Sequence, residues 1–405
     1  MPINDPAKTI LEENDLDLFQ KCYDYTVPDD YKAKGLYHYF HALESRQDTE
    51  VIMEGKRRIM LGSNNYLGLT VHPEVIEAGV EAYEQYGSGC SGSRFLNGTL
   101  KLHLELEREL AEFLHKDGIV TFSTGFQTNL GIISALVGHG DYMICDAENH
   151  ASIYDGCKLS YGRMLTYKHA DMEMLEAQLS KIGDKGGKLI ITDGVFSMGG
   201  DIAKLPEICA LAEKYDARVM VDDSHALGVI GEGGRGTASY FGLEDKVDII
   251  MGTFSKSLAS LGGFMAASER VVNFVMHNSR PYIFSASMPP ANCAAALTAR
   301  RIIKREPERV KRLSDLSAYA RAGFKKRGIH IIEAETPIIP VYTYEIENTF
   351  QKALELYDAG VYVNPVIPPA TQPGNCLLRT SYMATLTYEL IDEALDIFDK
   401  VFNKK

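Results

Sequence analysis

The chain has 405 residues, 45% of them hydrophobic, no tryptophan and a formal net charge of -13. That length suffices for one large and one small domain, each with its own core. The cations are scattered rather than massed, which excludes the basic footprint of a nucleic-acid binder, and no apolar run reaches the ~18 residues of a membrane-spanning helix.

Seven cysteines, Cys22, Cys90, Cys145, Cys157, Cys209, Cys293 and Cys376, are odd in number, dispersed and free of any CxxC pair. They fit neither a disulfide frame nor a thiolate zinc site and point to a reducing, cytoplasmic compartment. The opening MPINDPAKTILEENDLDLF is acidic, without the basic-then-apolar order of a secretory signal. Residues 1–60 are read as an N-terminal segment, 61–290 as a large α/β domain and 291–405 as a smaller α+β domain.

Near the start, GSGCSG carries Gly87, Gly89 and Gly92 in the spacing of a dinucleotide fingerprint. What precedes it is the helical pattern HPEVIEAGVEAYEQY rather than the strand that fingerprint requires, so 87–99 is read as a glycine loop near the substrate. Then come six short apolar runs: GIVTFST (118–124), DYMICD (141–146), RMLTYKH (163–169), KLIITDG (188–194), ARVMVDD (217–223) and VDIIMGT (247–253). Helical patterns such as LHLELERELAEFLHK and LPEICALAEKYD separate them. Continuous apolar strands alternating with helices predict a mostly parallel sheet covered on both faces. After about residue 290 the pattern becomes one long amphipathic helix, AALTARRIIKREPERVKRLSDLSAYARAGFKKRG, then strands IIPVYTYE and CLLRTSYM and a last helix near 387–404.

Ligands of open α/β sheets bind beyond the carboxyl ends of the strands, and four of the runs end in groups suited to one planar ligand, pyridoxal 5'-phosphate. Lys256, in a turn of small hydroxyl residues, suits a Schiff-base lysine. Asp222 is placed to keep a pyridine nitrogen protonated, and His225 to donate to the phenolic oxygen or to a substrate carbonyl. His150, just after DYMICD, can stack on the ring. Gly125 and Phe126 open a helix whose N-terminal N–H groups suit a phosphate, with the hydroxyls of Thr253 and Ser255 as further donors. Each has a plainer reading as a surface lysine, a helix cap or a core histidine. An Asp222, Asp223 and His225 metal site lacks a further ligand of obvious spacing.

In this order and spacing, NHASIYDG, VDDSHALGVIG and GTFSKS resemble the α-oxoamine synthases, pyridoxal-phosphate enzymes of the fold-type I aminotransferase superfamily, over nearly the whole chain. The resemblance implies decarboxylative condensation of an amino acid with an acyl-CoA, releasing CoA and carbon dioxide. It assigns Lys256, Asp222, His225 and His150 to catalysis, and Gly125, Phe126, Thr253 and Ser255 to the cofactor. It adds Ser285, reaching the phosphate of a neighbouring subunit, and Arg379 with Asn65 beside it, binding with His150 the substrate carboxylate. GTFSKSLASLGG and YVNPVIPPATQPGNCLLRTSYMAT are similar to the branch that joins L-serine to palmitoyl-CoA, giving 3-oxosphinganine for sphingolipid synthesis. A homodimer with shared active sites and peripheral contact with the inner membrane are implied as well. The chain departs from the pattern at Leu386, where the family often has histidine, and at Ile367, where some relatives carry an arginine. The rivals are a branch using glycine or alanine with a shorter acyl-CoA, a catalytically silent partner subunit, and a metal-dependent hydrolase. The last leaves Lys256 unexplained.

Overall fold

A computed structural model describes residues 17–404. Most of the acidic opening stretch therefore lies outside the described residues. The strands, in chain order, are β1 Glu50–Met53, β2 Lys56–Met60, β3 Gly118–Phe122, β4 Tyr142–Asp146, β5 Arg163–Tyr167, β6 Lys188–Asp193, β7 Arg218–Asp222, β8 Ile249–Thr253, β9 Gly263–Ala267, β10 Ile338–Tyr344, β11 Val361–Tyr362, β12 Asn364–Val366 and β13 Cys376–Ser381.

β3 to β9 form a seven-stranded sheet in the order β3-β9-β8-β7-β6-β4-β5. The pairs among β4 to β8 are parallel, whereas β9 runs antiparallel to both β3 and β8. Side chains along each strand alternate between two cores, as their period of two requires. Ile144, Ile190, Val219, Val221 and Ile250 face one core with Leu106, Leu175 and Ile208 from helices. Met143, Cys145, Leu189, Ile191, Met220, Ile249 and Met251 face the other, under Ile132, Ile133 and Ile153. Both faces are thus dry, which is why these strands read as unbroken apolar runs.

Two further three-stranded sheets, β1-β2-β11 and β10-β13-β12, lie outside the large one. β13 is the middle strand of the second, with Arg379 opposite Pro340 on β10 and Asn364 on β12. The long helix expected after residue 290 is two helices, Pro290–Arg305 and Glu308–Lys326. Pro307 separates them, because its ring and missing N–H cannot continue a helix interior. The glycine loop at 87–99 follows the helix Pro73–Tyr86, and it hydrogen-bonds to Ser287 rather than lining the cavity described next. Among the described residues no helix is long and apolar enough to cross a membrane.

Candidate active site

The parallel register sets the ends of β6 and β7 side by side, with Asp193 opposite Asp222. Beyond these ends and that of β8 lies a cavity of about 220 Å³ lined by Gly125, Phe126, His150, Asp222, His225, Thr253, Ser255 and Lys256, among others. Eight residues picked from four separate strand ends therefore meet at one place. Ser285 does not line this cavity; it sits half-buried in a turn beside Ser123 and Ala286.

Asp222 is held in a fixed orientation. One carboxylate oxygen accepts from Asn129 Nδ2 at 2.7 Å and the other from the Ser224 amide at 3.0 Å. The adjacent Asp223 points elsewhere, accepting from the Thr237 amide at 2.9 Å. The two acids and His225 thus do not converge as metal ligands would. His150 caps the helix Ala151–Leu159, its Nδ1 accepting from the Ser152 amide at 3.3 Å and lying 2.7 Å from the Ser152 hydroxyl. Its ring forms part of the cavity wall, backed by the surrounding protein but open to the cavity, with Phe126 edge-on at 6.2 Å. Burial lowers the pKa of His150, Asp222 opposing and Lys256 assisting.

Lys256 follows β8. Burial brings its amine down to about 8; Asp222 and Asp193 work against the drop and Arg379 adds to it. An amine so placed is deprotonated to a useful extent near neutral pH, as a nucleophile or base must be. Burial also holds His225 well below the ordinary histidine range, with Lys256 and Arg379 pushing the same way, so its imidazole is neutral. Asp193 goes the other way: buried beside Asp222, its carboxyl is raised well above the usual carboxylate range.

The helix Gly125–Leu136 begins at the cavity. Its N-cap Thr124 takes the Gln127 amide on its hydroxyl. The amides of Gly125 and Phe126, in the first turn, have no intrahelical acceptor and project where an anion gains from the helix dipole. A Cβ on Gly125 would come within 2.8 Å of Thr253 Oγ1, so this cradle depends on glycine. Thr253 and Ser255 are not equivalent donors. The single hydroxyl proton of Thr253 goes to the Gly262 carbonyl at 2.9 Å, and Ser255 Oγ lies 2.9 Å from Thr253 Oγ1. Ser255 therefore donates to Thr253 Oγ1 here and rotates its proton away to serve a ligand, while Thr253 braces the turn. An acid for a ring nitrogen, a low-pKa amine, a flat imidazole and an anion cradle match the donor set of pyridoxal phosphate.

A second cavity of about 430 Å³ shares His150, His225 and Lys256 with the first and adds Arg379, Asn64, Tyr39, Met198 and Ile367. Arg379 is 4% exposed. Its Nε donates to the Ser197 carbonyl, its Nη1 to Ser381 Oγ at 3.2 Å, and its Nη2 to Asn64 Oδ1 at 3.0 Å and the Tyr66 hydroxyl at 3.2 Å. The expected partner Asn65 is not there. Its amide reaches toward the Gln47 carbonyl at 3.4 Å and its Oδ1 takes the Thr70 amide at 3.3 Å. Gly68, at φ +68°, closes this turn against Thr385 and turns Asn64 rather than Asn65 toward the cavity. Leu386 is fully buried in the core, its carbonyl accepting from Arg312, so the turn at 383–387 is packing rather than chemistry. Ile367 packs with Phe350 and Cys376 and gives the second cavity an apolar wall.

The aminotransferase class I and II family model matches residues 56–398. The chain belongs to this family. Its members most like the chain include a serine palmitoyltransferase of Sphingobacterium spiritivorum, 50% identical over 387 residues, spanning 96% of this chain and 97% of the relative. Another, from Bacteroides thetaiotaomicron, is 52% identical over 385 residues, 95% of this chain and 98% of the relative. A solved serine palmitoyltransferase of S. paucimobilis, with bound pyridoxal phosphate–myriocin aldimine, superposes with a TM-score of 0.93 at 38% identity, covering 96% and 98% of the two chains. The fold is the type I aminotransferase fold, its central strands parallel and its smaller sheet near the C-terminus.

Proposed function

We propose that this protein is a pyridoxal-phosphate-dependent serine palmitoyltransferase, condensing L-serine with palmitoyl-CoA to 3-oxosphinganine, CoA and carbon dioxide. The observation that carries the reading is Arg379. Among the described residues it pairs with no carboxylate, and its four hydrogen bonds go to neutral acceptors, leaving one N–H of the guanidinium over. A buried cation without a counter-charge is costly unless an anion arrives. It opens, beside Lys256 and His150, on a cavity whose other walls are Tyr39, Met198, Pro365, Val366 and Ile367. One carboxylate and a long apolar chain suit this cavity together.

In the assigned roles, Lys256 would hold the cofactor covalently, Asp222 its ring nitrogen, His225 its phenolic oxygen and His150 its ring. Gly125, Phe126 and Ser255 take the phosphate, with Thr253 keeping Ser255 in place. Bound pyridoxal phosphate supplies an electron sink that acidifies the amino acid α-carbon and accepts the electrons freed by decarboxylation. The protein does the rest. Arg379 and His150 orient the serine carboxylate, with Asn64 fixing the guanidinium. Lys256, as a free amine, would take the serine α-proton, for which a pKa of about 8 is well matched. The new bond joins the serine α-carbon to the acyl carbon as the thioester C–S bond breaks and CoA leaves as its thiol; the carboxylate then departs as carbon dioxide, and a proton takes its place on the α-carbon. The apolar walls exclude water during this sequence.

The working unit is a homodimer. Phe284 and Leu96 are 75% and 76% exposed, and their segments are tied together by the Ser287 amide donating to the Gly92 carbonyl. A second copy covering them would bring Ser285 toward the neighbouring phosphate. The long-chain product places the enzyme at the cytoplasmic face of the inner membrane, held peripherally. The test is spectroscopic: purified protein with pyridoxal phosphate should show a Schiff-base absorption band that serine perturbs and Lys256→Ala abolishes. A colourless protein that gains no band on adding pyridoxal phosphate overturns the reading.

A further inference from the structure

Tyr66 is fully buried, and its hydroxyl stands between two groups of the site. On one side Arg379 Nη2 lies 3.2 Å away, on the other His225 Nδ1 lies 2.7 Å away. Arginine has five N–H groups and no acceptor, so toward Arg379 the tyrosine oxygen can only accept. Its single proton then has two candidate acceptors. Asn64 Oδ1 is 3.5 Å off and already takes an Arg379 proton at 3.0 Å, whereas His225 Nδ1 is at a full hydrogen-bond distance.

We propose that Tyr66 is a positioning residue: fed by Arg379, it donates to His225 Nδ1 and locks His225 as the Nε2–H tautomer, the form that can donate to the phenolic oxygen of the cofactor. Among the described residues His225 Nε2 has no hydrogen-bond partner, it is not sealed from solvent, and the residue lines both cavities. The neutral state of the buried ring agrees with this arrangement, since a protonated Nδ1 would face a hydroxyl already turned toward it. The tyrosine is itself immobilised. Its backbone carbonyl accepts from the Ala384 amide at 2.7 Å and its amide donates to the Asn64 carbonyl at 2.8 Å. The arginine that receives the substrate carboxylate and the histidine that faces the cofactor are thereby one hydrogen-bonded unit. The tautomer stands on geometry alone; its use toward the phenolic oxygen rests on the function proposed above.

Ring ¹⁵N shifts of the histidines in cofactor-free full-length protein test the tautomer directly, with the His225 signals assigned through His225→Gln. The wild type should show a pyridine-like Nδ1 and a pyrrole-like Nε2 at His225. Tyr66→Phe, which keeps the ring and removes only the hydroxyl, should lower the tautomer ratio about tenfold, the worth of one buried hydrogen bond. Arg379→Met, with Tyr66 intact, should move the ratio the same way and keeps the proposal open to refutation if Tyr66→Phe fails to fold. A wild type with a pyrrole-like Nδ1, or variants that fold and leave the ratio unchanged, would overturn it. With pyridoxal phosphate added, Tyr66→Phe should displace the pH midpoint of the absorption band by about one unit, the same tenfold factor, with little change in KM for serine. An unmoved midpoint beside a changed ratio would refute the link to the cofactor alone. A wild type that forms no band would refute the functional reading and leave the tautomer result standing.

Discussion

His169 gives the account a quantitative test away from the chemistry. Its Nδ1 lies 3.0 Å from Asp146 Oδ1 and its Nε2 2.9 Å from Asp201 Oδ2, with Glu148 4.0 Å off and the edge of Phe196 against its ring. Burial works against its charge, but the hydrogen bonds to the two aspartates outweigh it and raise its pKa from 6.5 to about 10. At ~1.36 kcal/mol per tenfold difference in proton affinity, that margin amounts to at most about 5 kcal/mol of folding free energy. The side chain is 25% exposed and Asp201 35%, so screening by water reduces this to about 2 kcal/mol. A raised pKa stabilises fully below the unfolded value of 6.5 and loses the contribution as pH climbs through about 10. His169→Gln should therefore unfold about 2 kcal/mol more easily than the wild type at pH ~6, and the gap should close by pH ~10. Urea unfolding of both proteins across that range measures it. A gap that stays constant with pH, or that widens as pH rises, would refute the reasoning. Asp201 shares its loop with Ser197, whose carbonyl accepts from Arg379 Nε, so the variant should also raise KM for serine below pH ~10, the range in which the wild-type His169 keeps its charge.

Other outcomes follow from the site. Arg379→Met should raise KM for serine about a hundredfold, the value of a buried charge-assisted pair at ~3 kcal/mol, with the cofactor band retained. Asp222→Asn removes the anion and leaves one oxygen for the two donors Asn129 and Ser224, so kcat should fall about a hundredfold to a thousandfold with a stability loss of about 1–2 kcal/mol for the unmatched donor; a variant within tenfold of the wild type in kcat would contradict the role of Asp222. Ser255→Ala should weaken pyridoxal phosphate binding by about tenfold with little effect on folding, for loss of one donor to a charged group. Thr253→Val should chiefly destabilise, by about 1 kcal/mol, because it removes one of the two donors to the buried Gly262 carbonyl, the Phe254 amide remaining, and the acceptor of the Ser255 amide. Equilibrium cofactor titration and urea unfolding separate the last two.

The central sheet was legible because four of its parallel strands, β4 and β6 to β8, are dry on both faces and so appear as unbroken apolar runs. β9 was not: Gly263–Ala267 reads GFMAA, too short and too rich in small residues to stand out from the glycine turn before it. The charged and aromatic members of the site were found where they end a strand. Asn129, Ser152 and Tyr66 were missed, since each acts through hydrogen bonds seen only after distant segments meet. A usable signal existed for Asn129, a buried amide within the otherwise apolar TNLGII. No local pattern distinguishes Asn64 from Asn65. A left-handed glycine three residues on and a contact with Thr385 decide which of them faces Arg379.

The central claim is that one cavity binds serine by its carboxylate, acylates it at the α-carbon and expels that carboxylate. Carboxyl-labelled serine and palmitoyl-CoA, incubated with the pyridoxal-phosphate-loaded enzyme, should give CoA, labelled carbon dioxide and 3-oxosphinganine in equal amounts. Glycine with acetyl-CoA should react far more slowly. Preference for glycine and acetyl-CoA, or CoA release without labelled carbon dioxide, would contradict the account.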